Sequence, residues 1–275
     1  MTLLVAVVAG LLIGISLGAL GGGGSILAVP VLVYGLDQTA GQATTGSLVV
    51  VGITSSIGAI AAHRAGNVLL GRGLAFGAAA IAGAVVGAKA SAHVLDAVLL
   101  AAFAVLMLLV AALMTIRQVR SRRVRFSGDS SGEATHGDPI IQFRPTFRCD
   151  CARALKVLVA ATAVGLLTGF LGVGGGFLIV PAFALVLAMP MRYAVGTSLV
   201  VITLTSAAAL AVRPGVGVSP DWTPVLVLTA VSALSSVAGA RFAARVDTRH
   251  LSAAFTALVL GVAIYTAARA LPALV

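Results

Sequence analysis

Two glycine clusters interrupt apolar stretches of the chain, Gly21-Gly22-Gly23-Gly24-Ser25 and Gly172-Val173-Gly174-Gly175-Gly176. Each glycine costs a helix about 1 kcal/mol relative to alanine, so neither stretch is expected to run on unbroken. A helix restarting after such a break presents unpaired backbone N–H groups and the positive end of its dipole, a ready site for an anion. Gly21, Gly23, Gly24 and Ser25, with Gly172, Gly174, Gly175 and Gly176, are the backbone candidates. Hydroxyls follow each cluster: Thr45, Ser47, Thr54 and Ser55 after the first, Thr197, Ser198, Thr205 and Ser206 after the second. They could complete a shell of neutral donors around an oxyanion. The bland reading of any one of them is a hydroxyl bonded back to its own helix carbonyl. Recurrence in pairs weakens that reading for Ser47, Thr197 and Ser198.

A second set is cationic or amide. His63, Arg64 and Asn67 follow one apolar segment, Arg192 follows Met189-Pro190-Met191, and Arg213 ends another. The functional reading is a gate or collecting site for anions; the plain one is interfacial anchoring of basic loops.

The elements that must position these residues are membrane helices. Of 275 residues, 60% are apolar and 9% charged, with a net charge of +10, whereas soluble domains carry about 25% charged residues. Charge-free windows fall near 3–35, 43–62, 73–92, 94–116, 155–187, 194–212, 224–243 and 250–272. The expected fold is an all-α polytopic membrane protein of about eight transmembrane segments. No strand-like alternation supports a β-barrel. Segments 3–35 and 155–187 are too long for one span, since 33 helical residues would measure about 50 Å. Each holds a glycine cluster and then a proline. The second piece either completes the crossing or turns back.

Shifting the chain by 151 residues lays Gly18–Pro30 on Gly169–Pro181, Ala43–Val50 on Ala194–Val201, and Thr54-Ser55 on Thr205-Ser206. Such self-similarity marks a tandem duplication. The expected organisation is a first repeat at 1–116, a basic cytoplasmic linker at 117–154 and a second repeat at 155–275. Each repeat has four segments, the first broken by glycine. Four crossings per unit would make the repeats parallel; an extra crossing in each would invert them. Duplicated halves with interrupted helices point to a secondary transporter whose substrate sits between the repeats. Gly14-x-x-x-Gly18 and Gly83-x-x-x-Gly87 read as helix-packing faces.

Gly172-Val173-Gly174-Gly175-Gly176 with Val180-Pro181, then Ala194-Val195-Gly196-Thr197-Ser198-Leu199, together with their first-half counterparts, resembles the TauE/SafE sulfite exporter family, also called the toluene-sulfonate uptake permease family. The resemblance spans both hydrophobic halves and implies transport of small anions such as sulfite, sulfonates or related organosulfur compounds.

With eight crossings, thirteen of the 18 Lys and Arg residues fall on the side of the linker and both termini, which the positive-inside rule makes cytoplasmic. Lys89, Arg192, Arg241, Arg245 and Arg249 fall outside. The expected environment is the lipid bilayer of the cytoplasmic membrane, and the expected partner a small anionic substrate. A basic nucleic-acid binder would spread its charge over a soluble face, and half of the basic residues here sit in one stretch. Cys149-Asp150-Cys151 lacks a second ligand pair for zinc, neither glycine cluster precedes the Lys-Ser/Thr of a nucleotide loop, and no catalytic constellation is expected. Neither metal nor cofactor is expected. A passive anion channel is the alternative function.

Overall fold

The computed structural model describes residues 2–91, 96–126, 151–172, 175–185, 189–212, 220–243 and 248–270, together with Val94, Leu187 and Val246. Among them every regular element is a helix. In order come α1 (Thr2–Leu20), α2 (Gly23–Pro30) continued by a π turn (Val31–Gly35), α3 (Ala40–Arg64), α4 (Leu70–Ser91), α5 (Asp96–Phe126), α6 (Cys151–Leu171), α7 (Gly176–Leu185), α8 (Met191–Val212), α9 (Trp222–Ala243) and α10 (Thr248–Ala270). Five of these, α1, α3, α4, α8 and α9, are long and apolar enough to cross a membrane. Large apolar side chains such as Leu4, Leu234 and Ile264 point outward, while Phe76, Phe177, Phe183 and Phe255 fill the interior. This is an all-helical membrane protein.

Of the two courses open to the glycine-broken segments, the chain takes the one that turns back. Gly21 adopts a left-handed backbone (φ +73°) and donates its N–H to the Leu17 carbonyl at 2.9 Å, a left-handed helix cap that only glycine adopts without strain. A Cβ on Gly24 would then lie 2.2 Å from the Ile13 carbonyl oxygen, and one on Gly35 lies 3.5 Å from Val5. In a continuous helix Gly24 would stand about 16 Å from Ile13. The second half repeats the device. Gly172 (φ +65°) caps α6 through Thr168, and Gly175 returns against Thr168. Pro30 and Pro181 sit inside the returning helices.

Residue pairs in contact fix the helix directions. Gly14 faces Ser232 and Ser235, and Gly18 faces Ser236 and Ala240, so α1 and α9 run the same way. Gly165 meets Ala80 and Gly169 meets Ala84, so α6 runs with α4; Gly73 meets Thr197 and Gly77 meets Leu204, so α8 runs with α4 too. Gln38 bonds the Asp221 carbonyl at 3.3 Å and Gly46 meets Val225, which aligns α3 with α9. Helices α3 and α8 cross antiparallel, with Gly52 on Ser206 and Gly58 on Leu199. The counterparts α1 and α6 therefore point in opposite directions, which corrects the parallel arrangement expected from eight simple crossings. The physical cause is the turn-back, which reverses the direction of every later helix in each half. It also separates the ends of the chain from the linker. The start of α1 and the end of α10 lie at one end of the bundle, and the end of α5 and the start of α6 lie at the other.

The glycine-x-x-x-glycine faces pack as their spacing predicts. A Cβ on Gly18 would lie 2.0 Å from the Ser236 carbonyl oxygen, and one on Gly169 would lie 2.0 Å from that of Ala84. These contacts clamp the first helix of each half to the other half.

Candidate functional site

The tips of the two hairpins meet each other inside the bundle, where Gly22 packs on Gly176 and Phe177. Gly21 is seated on Val195 and Ser198 of α8, and Gly172 on Thr44 of α3, where the Ser47 hydroxyl donates to the Gly172 carbonyl. Gly23 lies against Leu20 and Leu258, and Ser25 donates to the Gly22 carbonyl at 2.7 Å. The space beside Gly21, Gly22, Gly24, Gly172, Gly175 and Gly176 is filled by neighbouring protein atoms. Gly174 lies outside the described residues.

The hydroxyls divide into three groups. Thr45 donates to the Gly41 carbonyl, Ser47 also to that of Thr44, Ser198 to that of Val195, and Thr205 to those of Val201 and Ile202. These are bonds back along their own helices. Thr197 instead accepts from the Leu69 N–H at 3.1 Å, pinning the loop after α3 onto α8. Thr54, Ser55 and Ser206 are different. All three are fully buried and their hydroxyl oxygens have no partner. An unmade bond of this kind costs about 1–3 kcal/mol, so three together at the α3–α8 crossing call for an explanation.

Above this crossing, at the linker end, opens a cavity of about 580 Å³, within the usual range for small-molecule sites. Its walls are apolar, built from Gly18 of α1, Ile57 and Ile60 of α3, Val195 and Leu199 of α8, Val237 of α9 and Leu251 of α10. Its polar groups are Arg64, Asn67, Arg192 and Arg241. The three arginines are exposed, and among the described residues no carboxylate pairs with any of them. Three unpaired guanidinium groups around one concavity raise the local concentration of anions. Thr54 lies one helical turn below Ile57, and Ser206 two turns below Leu199, so the cavity-lining faces lead toward the unpartnered hydroxyls. His63, in the last turn of α3, is exposed and outside the lining. Arg213 lies outside the described residues.

Residues 6–266 match the family model of the sulfite exporter TauE/SafE. The chain belongs to that family. Relatives described as probable membrane transporter proteins, from Xylella fastidiosa strain Temecula1 and from a second strain of that species, are each 32% identical over 202 residues, covering 73% of this chain and 70% of theirs. No solved structure matches the chain. This TauE/SafE protein is a multi-pass membrane transport protein.

In this TauE/SafE chain, Arg64 and Arg192 border one cavity, although the eight-crossing count placed them on opposite faces. The antiparallel crossing of α3 and α8 brings the end of one helix to the start of the other. Arg241 was missed as a site residue because it reaches the cavity only through the parallel packing of α9 on α1. The available signal was the basic residue in the last turn of both α4 and α9, Lys89 and Arg241.

Proposed function

We propose that the protein carries small oxyanions, sulfite or a sulfonate, across the cytoplasmic membrane as a secondary transporter built from two inverted repeats. Each repeat, 1–116 and 155–275, comprises a glycine-broken hairpin followed by three crossing helices, and residues 117–154 join them. The carrying observation is the cavity at the linker end, whose arginines Arg64, Arg192 and Arg241 stand above Thr54, Ser55 and Ser206. The arginines and Asn67 collect the anion. The hydroxyls, with Thr205 beside them, then supply the neutral donors that an oxyanion needs after shedding water. The glycine clusters let the two hairpins approach this crossing. Ser25, Thr45, Ser47, Thr197 and Ser198 hold the hairpin tips and the neighbouring loop in place around it.

Orientation follows from the same geometry. With the hairpins turning back, all of the 18 Lys and Arg residues except Lys89, Arg213 and Arg269 fall on, or in sequence between, helix ends on the linker side. This asymmetry is stronger than that of the eight-crossing count and favours a cytoplasmic linker face. The chain termini then face the opposite side.

The test is tracer flux of sulfite, a sulfonate and sulfate through purified protein in liposomes. Saturable flux with counterflow for a sulfite or sulfonate anion is expected. Flux that never saturates would make the protein an anion channel, and no flux of any of the three would refute the substrate reading.

A further inference from the structure

Ser47 and Ser198 occupy corresponding places in the two halves, 151 residues apart, yet they bond differently. Each faces the hairpin tip of the other half. Ser47, fully buried, donates across the junction to the Gly172 carbonyl. Ser198, also fully buried, lies 2.7 Å from where a Cβ on Gly21 would stand but donates within its own helix, to Val195 at 2.7 Å. The open cavity borders this second junction through Gly18, Val195 and Leu199. The junction on the cavity side is thus unlatched and the one away from it is latched.

We propose that the two serines are alternate latches. The Ser47–Gly172 bond keeps the N-terminal end of the bundle shut while the cavity stands open to the linker end. Ser198 makes the mirror bond, to the Gly21 carbonyl, when the cavity closes and the opposite face opens. Two halves related by an in-plane axis can exchange roles, so the state occupied depends on small differences between equivalent contacts. A hydrogen bond present in one state and absent in the other biases the population by its own free energy and no more. Ser47 and Ser198 are positioning residues here, acting through the hairpin tips. The inference rests on the carrier reading above, in which the cavity opens to each face in turn.

The test reads cavity access and uses no anion, so its failure is distinguishable from failure of the substrate assignment. The full-length chain carries Cys149→Ser, Cys151→Ser and Ala61→Cys, Ala61 being a half-buried cavity residue. It is labelled with a membrane-impermeant maleimide from the linker side in inside-out vesicles. Ser47→Ala should slow labelling roughly 2- to 10-fold, the range of one neutral hydrogen bond. Ser198→Ala should leave the rate unchanged or raise it, and the double variant should return toward the parent. Ser47→Gly, which also removes the donor and adds no second thiol, should shift the rate in the same direction as Ser47→Ala and serves if the alanine variant does not assemble. Equal rates in parent and variants, or shifts of both single variants in one direction, would overturn the proposal.

Discussion

Gly22 lies in backbone contact with Gly176, so close that a Cβ on Gly22 would stand 1.8 Å from the Gly176 carbonyl oxygen. The glycine break of each half is thereby packed on the break of the other, in the middle of the bundle. The contact explains why both halves tolerate residues that weaken a helix. Side chains here would separate the hairpins and shift α3 and α8, which carry the unpartnered hydroxyls.

Gly175 gives the first prediction. Its φ is +66° and a Cβ would meet the Thr168 hydroxyl oxygen at 1.8 Å. Gly175→Ala should lose stability on two counts, about 1–2 kcal/mol for the left-handed backbone and about 1–3 kcal/mol for overpacking. Adding Thr168→Ala should recover the overpacking part only. Thermal unfolding of the parent and the two variants in detergent checks this. A Gly175→Ala protein as stable as the parent would show that the hairpin does not need this contact.

The arginines should act independently and electrostatically. Each of Arg64→Ala, Arg192→Ala and Arg241→Ala should weaken anion binding about 2- to 5-fold, as expected for exposed charges. Because the groups are exposed, the effect should shrink as ionic strength rises from about 0.01 to 0.15 M. Binding isotherms at two salt concentrations would decide. A salt-independent loss would mean that the guanidinium groups bind by close contact rather than by their field.

Removal of an unpartnered buried hydroxyl should separate stability from function. Thr54→Val, Ser55→Ala and Ser206→Ala each delete an oxygen that has no bond in this structure, so the folded protein should keep or gain stability. Transport should nevertheless fall more than about 10-fold, because replacing a ligand's hydrogen-bond partner by a methyl leaves ligand oxygens unpaired. Unchanged flux with raised stability would identify these hydroxyls as tolerated defects.

Much of this was legible before the fold was known. The broken helices at Gly21 and Gly172 and the packing faces at Gly14–Gly18 and Gly83–Gly87 follow from local rules about glycine and spacing. The direction of the repeats was not legible. It depends on whether the chain reverses at Gly21–Gly22, and a glycine-rich segment of that length permits either course. One such choice in each half inverts the whole arrangement and moves Arg192 and Arg241 to the same face as Arg64. The distinction between bonded and unbonded hydroxyls was also hidden. Thr54 and Thr205 are identical by sequence position, yet only Thr205 bonds back to its helix.

Topology is directly testable. The start of α1 and the end of α10 lie at the bundle end opposite the linker flanks. Epitope tags at either terminus should therefore be reached by antibody on intact cells, after outer-membrane permeabilisation where one exists. Cys149 and Cys151 should resist an impermeant thiol reagent added from outside. Termini and linker reached from the same side would overturn the turn-back of α2 and α7.

Transport of the anion should be electrogenic and independent of a proton gradient. Proton-coupled carriers hold acidic or histidine residues inside their spans. Among the described residues every fully or nearly buried polar side chain is Ser, Thr or Gln38. Asp37, Asp221 and His63 are exposed at helix ends or loops, and the charged groups that line the cavity are the arginines. Among the described residues no carboxylate or imidazole lines the way from Arg64 to Ser206. One anion leaving a cell whose interior is negative gains about 2.3 kcal/mol per 100 mV, a gradient of roughly 50-fold at about 1.4 kcal/mol per decade. In liposomes loaded with the anion, with the potential set by potassium and valinomycin and no pH difference, efflux should accelerate as the interior becomes negative. Flux that ignores the potential and follows an imposed pH difference would sink this prediction, and would require a titratable group that the buried faces of α3 and α8 do not hold.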